Sequence, residues 1–399
     1  MNTKPKCFAI FAQLPFPQFS GDRQQVFNEI NILSKYYQLE VVIICRTKPT
    51  KEDYLFLQNR CSRFHIFYLS KLKLITNVLT YIFKLHSLQV ACFFNKKIQQ
   101  VVNNGLQNCD FAFATLIRVA KYLEKTNKPK LIDFTDTISL NYERSYENVR
   151  SFLLKQLYKY ESKRLAKFEE YIISKYDAIF LVNYNEQQFW LNKLLNNNII
   201  WLPPGIKNHL FNYNLKDDKY LKSIVFIGKM DYQPNIDAIV WFLEEVWHNI
   251  KTQDLSFYII GVNPPKRLLQ KCNQLKNVHF TGFLEDPYII LNSASAVVSP
   301  MQTGGGIQNK ILEGMALKKV NIVTTRGSEG IRFAENGKHL IIEDDPIKMA
   351  DIIDDVVVNP NKYKHIGEYA YNLVSQQYTW QNFEVILTKT INQLVSKVN

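Results

Sequence analysis

The stretch LPPGIKNHLF, residues 202–211, interrupts a regular alternation of strand-like and helix-like segments. Its prolines and glycine end regular structure, because proline lacks an amide donor and glycine adopts backbone angles that other residues avoid. On both sides of this stretch the chain shows the same kind of pattern. We therefore predict two α/β halves with a hinge near Pro203–Gly205.

Before the hinge, continuous apolar runs alternate with helical patterns. Runs of this kind, without polar alternation, are typical of parallel strands that helices cover on both faces. A helix capped by Asp22 should follow the first run, and a long helical stretch, 145–175, should lie on the outside. The predicted strands are CFAIFA (7–12), LEVVIIC (39–45), FHIFYL (64–69), DFAFA (110–114), KLIDF (130–134) and AIFLV (178–182).

After the hinge the alternation starts again. A helix after Pro234 has an apolar stripe that should place Trp241 and Trp247 in the core rather than in a binding site. The fold class is therefore α/β, with two doubly wound, Rossmann-like domains that face a cleft, and ligands should bind at the carboxyl ends of the strands. The predicted strands are SIVFIG (223–228), FYIIG (257–261), VHFTGF (278–283), AVVS (296–299), VNIVTT (320–325) and HLIIE (339–343).

Composition limits the class of protein. The 399 residues are 46% hydrophobic and 21% charged, as in soluble globular proteins of two domains. The six cysteines form no C-x-x-C motif, which predicts reduced thiols and no zinc site. The N-terminus does not resemble a signal peptide, and no apolar run reaches the ~18 residues of a membrane span. We expect a cytoplasmic protein whose membrane contact, if any, is peripheral at the inner face.

The net charge of +13 is unevenly distributed. No acidic residue occurs between Asp53 and Asp110, and the basic residues there alternate with aliphatic and aromatic ones. The segment 54–109 therefore predicts contact with an anionic membrane surface, with a solvated basic face as the alternative. Nucleic acid is disfavoured, because no helix-turn-helix, RNP-like or zinc-finger pattern is present. The basic residues are Arg60, Arg63, Lys71, Lys73, Lys84, Lys96 and Lys97.

The stretch GGGIQNKILEGMA (304–316) follows a predicted strand and begins a helix. Lys310 falls in the first turn, where a cation opposes the helix dipole by ~0.3–1 kcal/mol. The glycines permit the backbone angles and close approach of an anion-binding turn, and Glu313 lies on the same helix face as Lys310. Amides and Lys310 would bind the phosphates of a nucleotide diphosphate, and Glu313 its ribose hydroxyls. An ordinary surface pair of Lys310 and Glu313, worth ~0.3 kcal/mol, is the alternative.

Residues 282–331, which include this stretch, resemble the donor-binding region of GT-B-fold glycosyltransferases of family 4 (glycosyl transferases group 1). The resemblance is greatest to bacterial exopolysaccharide-associated sugar transferases. It implies an acceptor-side domain at 1–203, a nucleotide-sugar-binding domain at 204–376, and a C-terminal helix at 377–399 that packs back onto the first domain. Further matching segments are LPFPQFSGDRQQ (14–25), LIDFTDTISLNY (131–142), LPPGIKNHLF, IVFIGKMDYQPNIDAIVWFLEEVW (224–247) and YTWQNF (378–383).

The resemblance also implies roles for single residues. Glu313 matches the second glutamate of the E-x7-E motif, which holds the ribose. Lys310 and Lys229 match basic residues near the diphosphate, and Gly21 matches the glycine of a loop that closes over the donor. The remaining donor-binding candidates are Gly305, Gly306 and Ile307.

The chain departs from the family pattern at two positions. The first glutamate of E-x7-E is replaced by Gly305, and the His-Asp pair after the fifth strand is replaced by Thr135 and Asp136. Asp136 is accordingly the candidate catalytic residue, with capping of its own turn as the alternative. We expect Glu329 to begin a helix rather than to contact the donor.

The resemblance implies a retaining, hexosyltransferase-type glycosyltransferase in polysaccharide or glycoconjugate synthesis. It would use a UDP- or GDP-sugar and a glycan or lipid-linked acceptor. No cofactor or metal is expected, because lysines neutralise the diphosphate and no D-x-D cluster follows a strand. Two alternatives stay open. One is a nucleotide-sugar epimerase on the same fold, and the other is a non-catalytic nucleotide-sugar-binding partner subunit, suggested by Gly305 and Thr135.

Overall fold

The computed structural model describes residues 4–18, 20–81, 87–146, 151–195 and 197–396. The chain divides into two compact units. The first comprises Met1–Leu202 and Phe383–Asn399, and the second comprises Pro203–Asn382. The boundary between them falls at the Pro-Pro-Gly stretch, and each unit contains its own parallel sheet.

The first unit contains a seven-stranded sheet in the order β3-β2-β1-β4-β5-β6-β7, and all its pairings are parallel. Its central strands are buried along almost their whole length because helices cover both faces. The strands are β1 (Lys6–Phe11), β2 (Gln38–Cys45), β3 (Arg63–Tyr68), β4 (Phe111–Thr115), β5 (Lys130–Thr135), β6 (Ala178–Leu181) and β7 (Ile199–Trp201).

Helices connect these strands, as parallel pairing requires. A 3-10 helix, Ile117–Leu123, lies between β4 and β5. The helices are α1 (Gly21–Tyr36), α2 (Lys51–Gln58), α3 (Lys71–Tyr81), α4 (Leu88–Phe93), α5 (Lys96–Leu106), α6 (Ile138–Tyr146), α7 (Phe152–Ile173) and α8 (Tyr184–Leu194).

The second unit contains a six-stranded parallel sheet in the order β10-β9-β8-β11-β12-β13. Its core is formed by apolar side chains of these strands and of the helices that cover them. The strands are β8 (Ser223–Ile227), β9 (Ser256–Ile260), β10 (Val278–Gly282), β11 (Ala296–Ser299), β12 (Val320–Val323) and β13 (Ile341–Ile342).

The first helix of this unit continues into one π-helical turn, Phe242–Val246, and a 3-10 turn, Trp247–Asn249. The other short 3-10 helices are Asn208–Asn212 and Asp218–Tyr220. The α-helices are α9 (Gln233–Trp241), α10 (Lys266–Asn273), α11 (Tyr288–Ser293), α12 (Asn309–Ala316), α13 (Thr325–Ser328), α14 (Pro346–Val358) and α15 (Pro360–Gln377).

A final helix, α16 (Trp380–Val395), belongs to the first unit from Phe383 onward. Within that unit, Lys35 donates a 2.5 Å hydrogen bond to Glu384, and Tyr37 donates one of 3.1 Å to Asn392. The C-terminal segment therefore packs on the unit formed by the N-terminal residues.

The structure corrects several details of the predicted elements. Ser20, not Asp22, occupies the N-cap of α1, and Asp22 instead accepts a 2.8 Å hydrogen bond from Gln13. The stretch 145–175 is not one helix but the end of α6 followed by α7. The short strand β7 was not predicted, since three residues are too few for a periodic signal. Among the described residues, no helix combines the length and the hydropathy needed to cross a membrane.

Candidate functional site

The carboxyl ends of β8 and β11 are neighbours in the second sheet, because the two strands pair in parallel. Lys229 follows β8 and precedes α9, and residues 300–308 connect β11 to α12. From this pair the strand order runs outward in both directions, and doubly wound sheets bind ligands at such a switch point. The structure thus brings Lys229 and the predicted glycine stretch to the same edge of the sheet.

Two helices begin at this edge without stabilising anions. Neither α9 nor α12 has a side-chain cap or an acidic residue in its first turn. Within the described part of the chain, the backbone N–H groups from Gln302 to Lys310 donate no hydrogen bond to another protein group. Free amides at a helix N-terminus have a partial positive charge, and this arrangement is suited to an anion.

The glycine stretch brings the two helix ends together. Gly304 and Gly306 have positive φ angles of 101° and 76°, whereas Gly305 does not. A Cβ atom at Gly304 would lie 3.2 Å from the Cβ of Pro234 in the first turn of α9. Gly305, Gly306 and the following Ile307 are half-buried. Sequence reasoning treated the three glycines alike, but backbone geometry requires glycine at two of them.

Lys310 is buried with its ammonium group inside the second unit. Its Nζ atom donates to Asn235 Oδ1 at 2.6 Å, approaches Met301 Sδ at 3.5 Å and lies 4.3 Å from the Phe226 ring centroid. No carboxylate within the described residues forms an ion pair with it. Burial therefore lowers the pKa of Lys310 to about 7, although Glu313 acts in the opposite direction. The alternative of an ordinary surface pair between Lys310 and Glu313 is wrong, because only 8% of the Lys310 residue is exposed to solvent.

Asn235 connects the two candidate lysines and was missed by sequence reasoning. Its side-chain amide donates a 2.9 Å hydrogen bond to the backbone oxygen of Lys229, which turns its Oδ1 atom toward Lys310. Lys229 itself is half-buried. The available signal was a polar residue directly after Pro234, in the first turn of a helix whose neighbours are apolar.

Glu313 lies one helical turn beyond Lys310, and its carboxylate contacts other groups. Tyr288 donates a 3.1 Å hydrogen bond to Glu313 Oε1, and Lys207 Nζ lies 5.1 Å from the Tyr288 ring centroid. Burial raises the pKa of Glu313, while Lys207, Tyr288 and Lys310 lower it. The side chain is half-buried. Its second oxygen therefore remains able to accept hydrogen bonds from a ligand.

In the first unit, the candidate Asp136 follows β5 in a strained turn. Thr135 has a φ angle of 63°, which is unfavourable for a β-branched residue, and the pairing of β5 with β6 is irregular at this point. The Thr135 N–H donates to Asp133 Oδ1 at 2.6 Å, so Asp133 caps the turn. Thr135 Oγ1 and Asp136 Oδ1 are both buried without a hydrogen-bond partner within the described residues. The capping role considered for Asp136 thus belongs to Asp133.

Several buried carboxyl groups surround this turn. Burial raises the pKa of Asp136 to about 7, with additional repulsion from Glu186 and Asp133 and some relief from Arg144. Glu186 accepts a 2.6 Å hydrogen bond from the Thr137 N–H and pairs with Arg144 at 3.2 Å. Burial also raises the pKa of Glu169, which accepts hydrogen bonds from Ser139, to about 7.

The remaining candidates occupy less distinctive positions. Gly21 is exposed and is the first residue of α1 in the first unit. Glu329 does not begin a helix; it follows α13 and pairs with Arg326 at 2.7 Å. Trp241 and Trp247 pack against the core of the second unit, as predicted. Within the described ranges, no group of three His, Cys, Asp or Glu side chains is arranged to hold a metal ion.

Comparison with known proteins gives one family match and one curated relative. Residues 221–359 match the family model for glycosyl transferases group 1. A Klebsiella pneumoniae protein, described as an uncharacterized 44.6 kDa protein in the cps region, is 21% identical over 391 residues. The alignment spans 94% of this chain and 96% of the relative.

Solved structures with a similar fold cover nearly the whole chain. The complex of Anabaena HepE with UDP and glucose is 11% identical, has a TM-score of 0.68, and matches 97% of this chain and 100% of its own. Sucrose-phosphate synthase from Thermosynechococcus elongatus is 13% identical, has a TM-score of 0.70, and matches 98% of this chain and 100% of its own. These likenesses confirm the predicted fold of two doubly wound α/β units.

Proposed function

We propose that this chain is a GT-B-fold glycosyltransferase of the glycosyl transferases group 1, the family whose model matches residues 221–359 and whose fold the solved structures share. The protein transfers a hexose, with retention, from a UDP- or GDP-sugar to a glycan or lipid-linked acceptor in polysaccharide synthesis. The UDP and UDP-glucose complexes of HepE support a nucleotide-sugar donor. The location of the Klebsiella relative in a cps region supports a role in polysaccharide synthesis.

One observation carries the proposal: the ammonium group of Lys310 is buried beside free helix N-termini, and no anionic side chain of the described residues pairs with it. Removing a charge from water costs several kcal/mol unless an opposite charge compensates. A diphosphate at this edge would supply that charge and accept hydrogen bonds from the unpaired amides. The site is thus electrostatically incomplete until an anion binds.

The other residues of this edge have complementary roles in the proposal. Lys229 contacts the same diphosphate from the β8 side, and the amides of Gly305, Gly306 and Ile307 donate to its oxygens. Glu313, already oriented by Tyr288, accepts hydrogen bonds from the ribose hydroxyls. Gly21 contributes to the loop that covers the donor.

Catalysis in this proposal is mainly electrostatic. Negative charge develops on the diphosphate as the glycosidic bond breaks, and the lysines and helix N-termini stabilise it without reorganisation. These fixed cations perform the function that a divalent metal would otherwise have, so we propose metal-independent transfer. Binding also aligns the acceptor hydroxyl with the anomeric carbon, which lowers the entropic part of the barrier.

Asp136 is the proposed catalytic residue of the first unit. Its Oδ1 atom is buried and has no hydrogen-bond partner among the described residues, and burial raises its pKa to about 7, so it exchanges a proton near neutral pH. A group of this pKa can accept the proton of an acceptor hydroxyl or hold a sugar hydroxyl. The strained Thr135 turn keeps its carboxyl group in this position.

We also propose that the protein works in the cytoplasm at an anionic membrane surface, through the segment 54–109. Support comes from α3, which has no acidic residue. There Leu72, between Lys71 and Lys73, and Leu79, two turns further along the helix, are exposed. Lys84, one of the basic residues of this segment, lies outside the described residues.

A donor screen tests the main proposal. We expect UDP- or GDP-sugars to raise the melting temperature, because a ligand that binds only the folded state stabilises it. Release of free nucleotide that requires an added acceptor would then identify transfer. Interconversion of the donor sugar would instead indicate an epimerase, and binding without turnover would indicate a non-catalytic subunit. Unchanged melting with every donor would contradict the proposed site.

A further inference from the structure

The first nine residues of α7, Phe152–Tyr160, form a surface that we name the α7 tip. Phe152 and Leu153 are 72% and 79% exposed, and Leu154, Leu157 and Tyr160 are exposed as well. The buried side of α7 starts only at Glu161 and continues through Leu165 and Phe168. The tip therefore extends past the part of α7 that packs on the core of the first unit.

Contacts with α6 hold the base of the tip in place. The Tyr158 ring lies 4.9 Å from the Tyr142 ring, edge to face, and Lys155 lies 5.7 Å from the Tyr146 ring centroid. Ser151 caps α7 by accepting a hydrogen bond from the Leu154 N–H. The apolar side chains are thus displayed on an ordered helix end.

The α7 tip has a positive charge as well as apolar side chains. Residues 151–160 include Lys155 and Lys159 but no acidic residue. The next acidic residue, Glu161, is buried and accepts a 3.1 Å hydrogen bond from the Gln89 N–H in α4. Lys163 and Lys167 continue the exposed basic side of the helix. The tip is therefore complementary to an apolar phase with an anionic boundary.

We propose that the α7 tip inserts into the headgroup region of an anionic lipid bilayer, an inference that rests on the membrane partner proposed above. Phe152, Leu153 and Leu154 are consecutive, so they project about 100° apart around the helix. A flat protein surface would cover only one side of the helix, whereas lipids surround an inserted helix end on all sides. Apolar side chains that point in several directions therefore favour lipid as the partner. Lysines near the same end reach the anionic headgroups.

The tip and α3 have different properties as membrane contacts. On α3, Leu72, Ile75 and Leu79 form a single stripe at spacings of three and four residues, typical of a helix that lies flat on a surface. Both helices adjoin α4, since Asn77 of α3 donates to the Cys92 carbonyl at 2.9 Å and Glu161 of α7 accepts from Gln89. The tip adds insertion to the electrostatic contact that the segment 54–109 provides.

Vesicle flotation with the full chain tests this inference. The parent should bind vesicles of phosphatidylglycerol and phosphatidylcholine, and part of that binding should resist high salt, because insertion is not screened. The double variant Phe152→Ser/Leu153→Ser should bind ~10-fold or more weakly and lose the salt-resistant part. A matched control is Leu195→Ser, which changes an exposed leucine at the end of α8 and should behave like the parent.

The outcomes separate the two proposals. If the parent binds no vesicle, the membrane partner itself is refuted together with the inference. If the parent binds and the double variant binds equally well, only the inference is refuted. Sedimentation of lipid-free protein provides a further check, because a parent dimer that the double variant dissociates would make the tip a self-association surface and overturn the inference. Unchanged melting and donor affinity in the variant would show that the fold and donor site are intact.

Discussion

The carboxyl edges of the two sheets contain opposite kinds of unbalanced charge. In the second unit, the edge contains a buried ammonium group, Lys310, and free helix N-termini, without a carboxylate paired to the lysine in the described structure. In the first unit, the turn after β5 is surrounded by buried carboxyl groups, of which Glu186 pairs with Arg144. Each arrangement destabilises the free protein, because buried charge without compensation is costly.

In the reaction proposed above, this difference corresponds to a division of labour between the units. A positive edge stabilises a diphosphate in both the bound donor and the transition state. A carboxyl group whose pKa burial raises to about 7 instead handles hydroxyl groups and protons. The reaction assigned to a glycosyltransferase needs both functions, since the leaving group is an anion and the acceptor is an alcohol.

The largest effect should follow from Lys310→Met, which keeps the side-chain volume but removes the charge. We expect kcat/KM to fall ~1000-fold, because one contact to the developing charge is worth about 10²–10³ in rate and contributes to donor affinity as well. Steady-state kinetics and calorimetry with the donor found in the screen would measure this. Stability should be unchanged or higher, since a desolvated ammonium group is removed.

Lys319→Met is the matched control for this experiment. Lys319 belongs to the same unit, donates a 2.7 Å hydrogen bond to the Asn292 carbonyl, and has a pKa that burial lowers to about 8. Its loss should leave donor affinity unchanged. Equal donor affinity in Lys310→Met and the parent would contradict the charge assignment for this edge.

Asp136→Asn should have the next largest effect. It should lower kcat but raise the stability of the folded protein at high pH. We expect kcat to fall ~100-fold, because asparagine cannot accept a proton. Since the pKa of Asp136 is about 7 in the folded state and about 4 when unfolded, the folded protein binds more protons between these values. The stability that protonated Asp136 contributes is therefore fully present below about pH 4 and is lost progressively as the pH rises to about 7.

Urea unfolding of the Asp136→Asn variant and the parent at pH 5 and pH 8 would measure the effect on stability. Relative to the parent, the variant should gain about 2–3 kcal/mol of stability between pH 5 and pH 8. Glu143→Gln, which removes an exposed carboxyl group from α6, should change neither quantity. A stability difference that does not depend on pH would refute the buried ionised state.

The pH dependence of donor binding tests the charge of Lys310 at the edge of the second sheet. The pKa of Lys310 is about 7 in the free protein, and a bound diphosphate should raise it, so binding takes up a proton. Affinity for a nucleotide sugar should therefore fall up to about tenfold for each pH unit above 7. Calorimetry between pH 6 and 9 measures this, with Lys310→Met expected to show a flat profile. A flat profile for the parent would mean that Lys310 stays charged.

Sequence patterns predicted the sheets well because apolar runs reflect burial, which depends on neighbouring residues. Sequence patterns do not predict which partner a side chain on a given helix face will reach. Lys310 and Glu313 were predicted on one face, yet one reaches Asn235 and the other Tyr288. Asn235 gave only a weak sequence signal, its polar side chain after Pro234, and Glu186 gave none, because their partners Lys310 and Thr137 are distant in the chain.

Glu313→Gln should have the smallest effect, because glutamine keeps the shape and the hydrogen bond from Tyr288. We expect donor affinity to fall ~10-fold, since a charge-assisted hydrogen bond to a ribose hydroxyl becomes a neutral one. The decisive measurement compares nucleotide with 2′-deoxynucleotide and 3′-deoxynucleotide in both proteins. The parent should prefer the nucleotide, and the variant should lose most of the preference for the hydroxyl that Glu313 binds. If parent and variant discriminate equally, Glu313 supports the aromatic cluster around Tyr288 and does not contact the ribose, and the donor site is then defined by its lysines and amides.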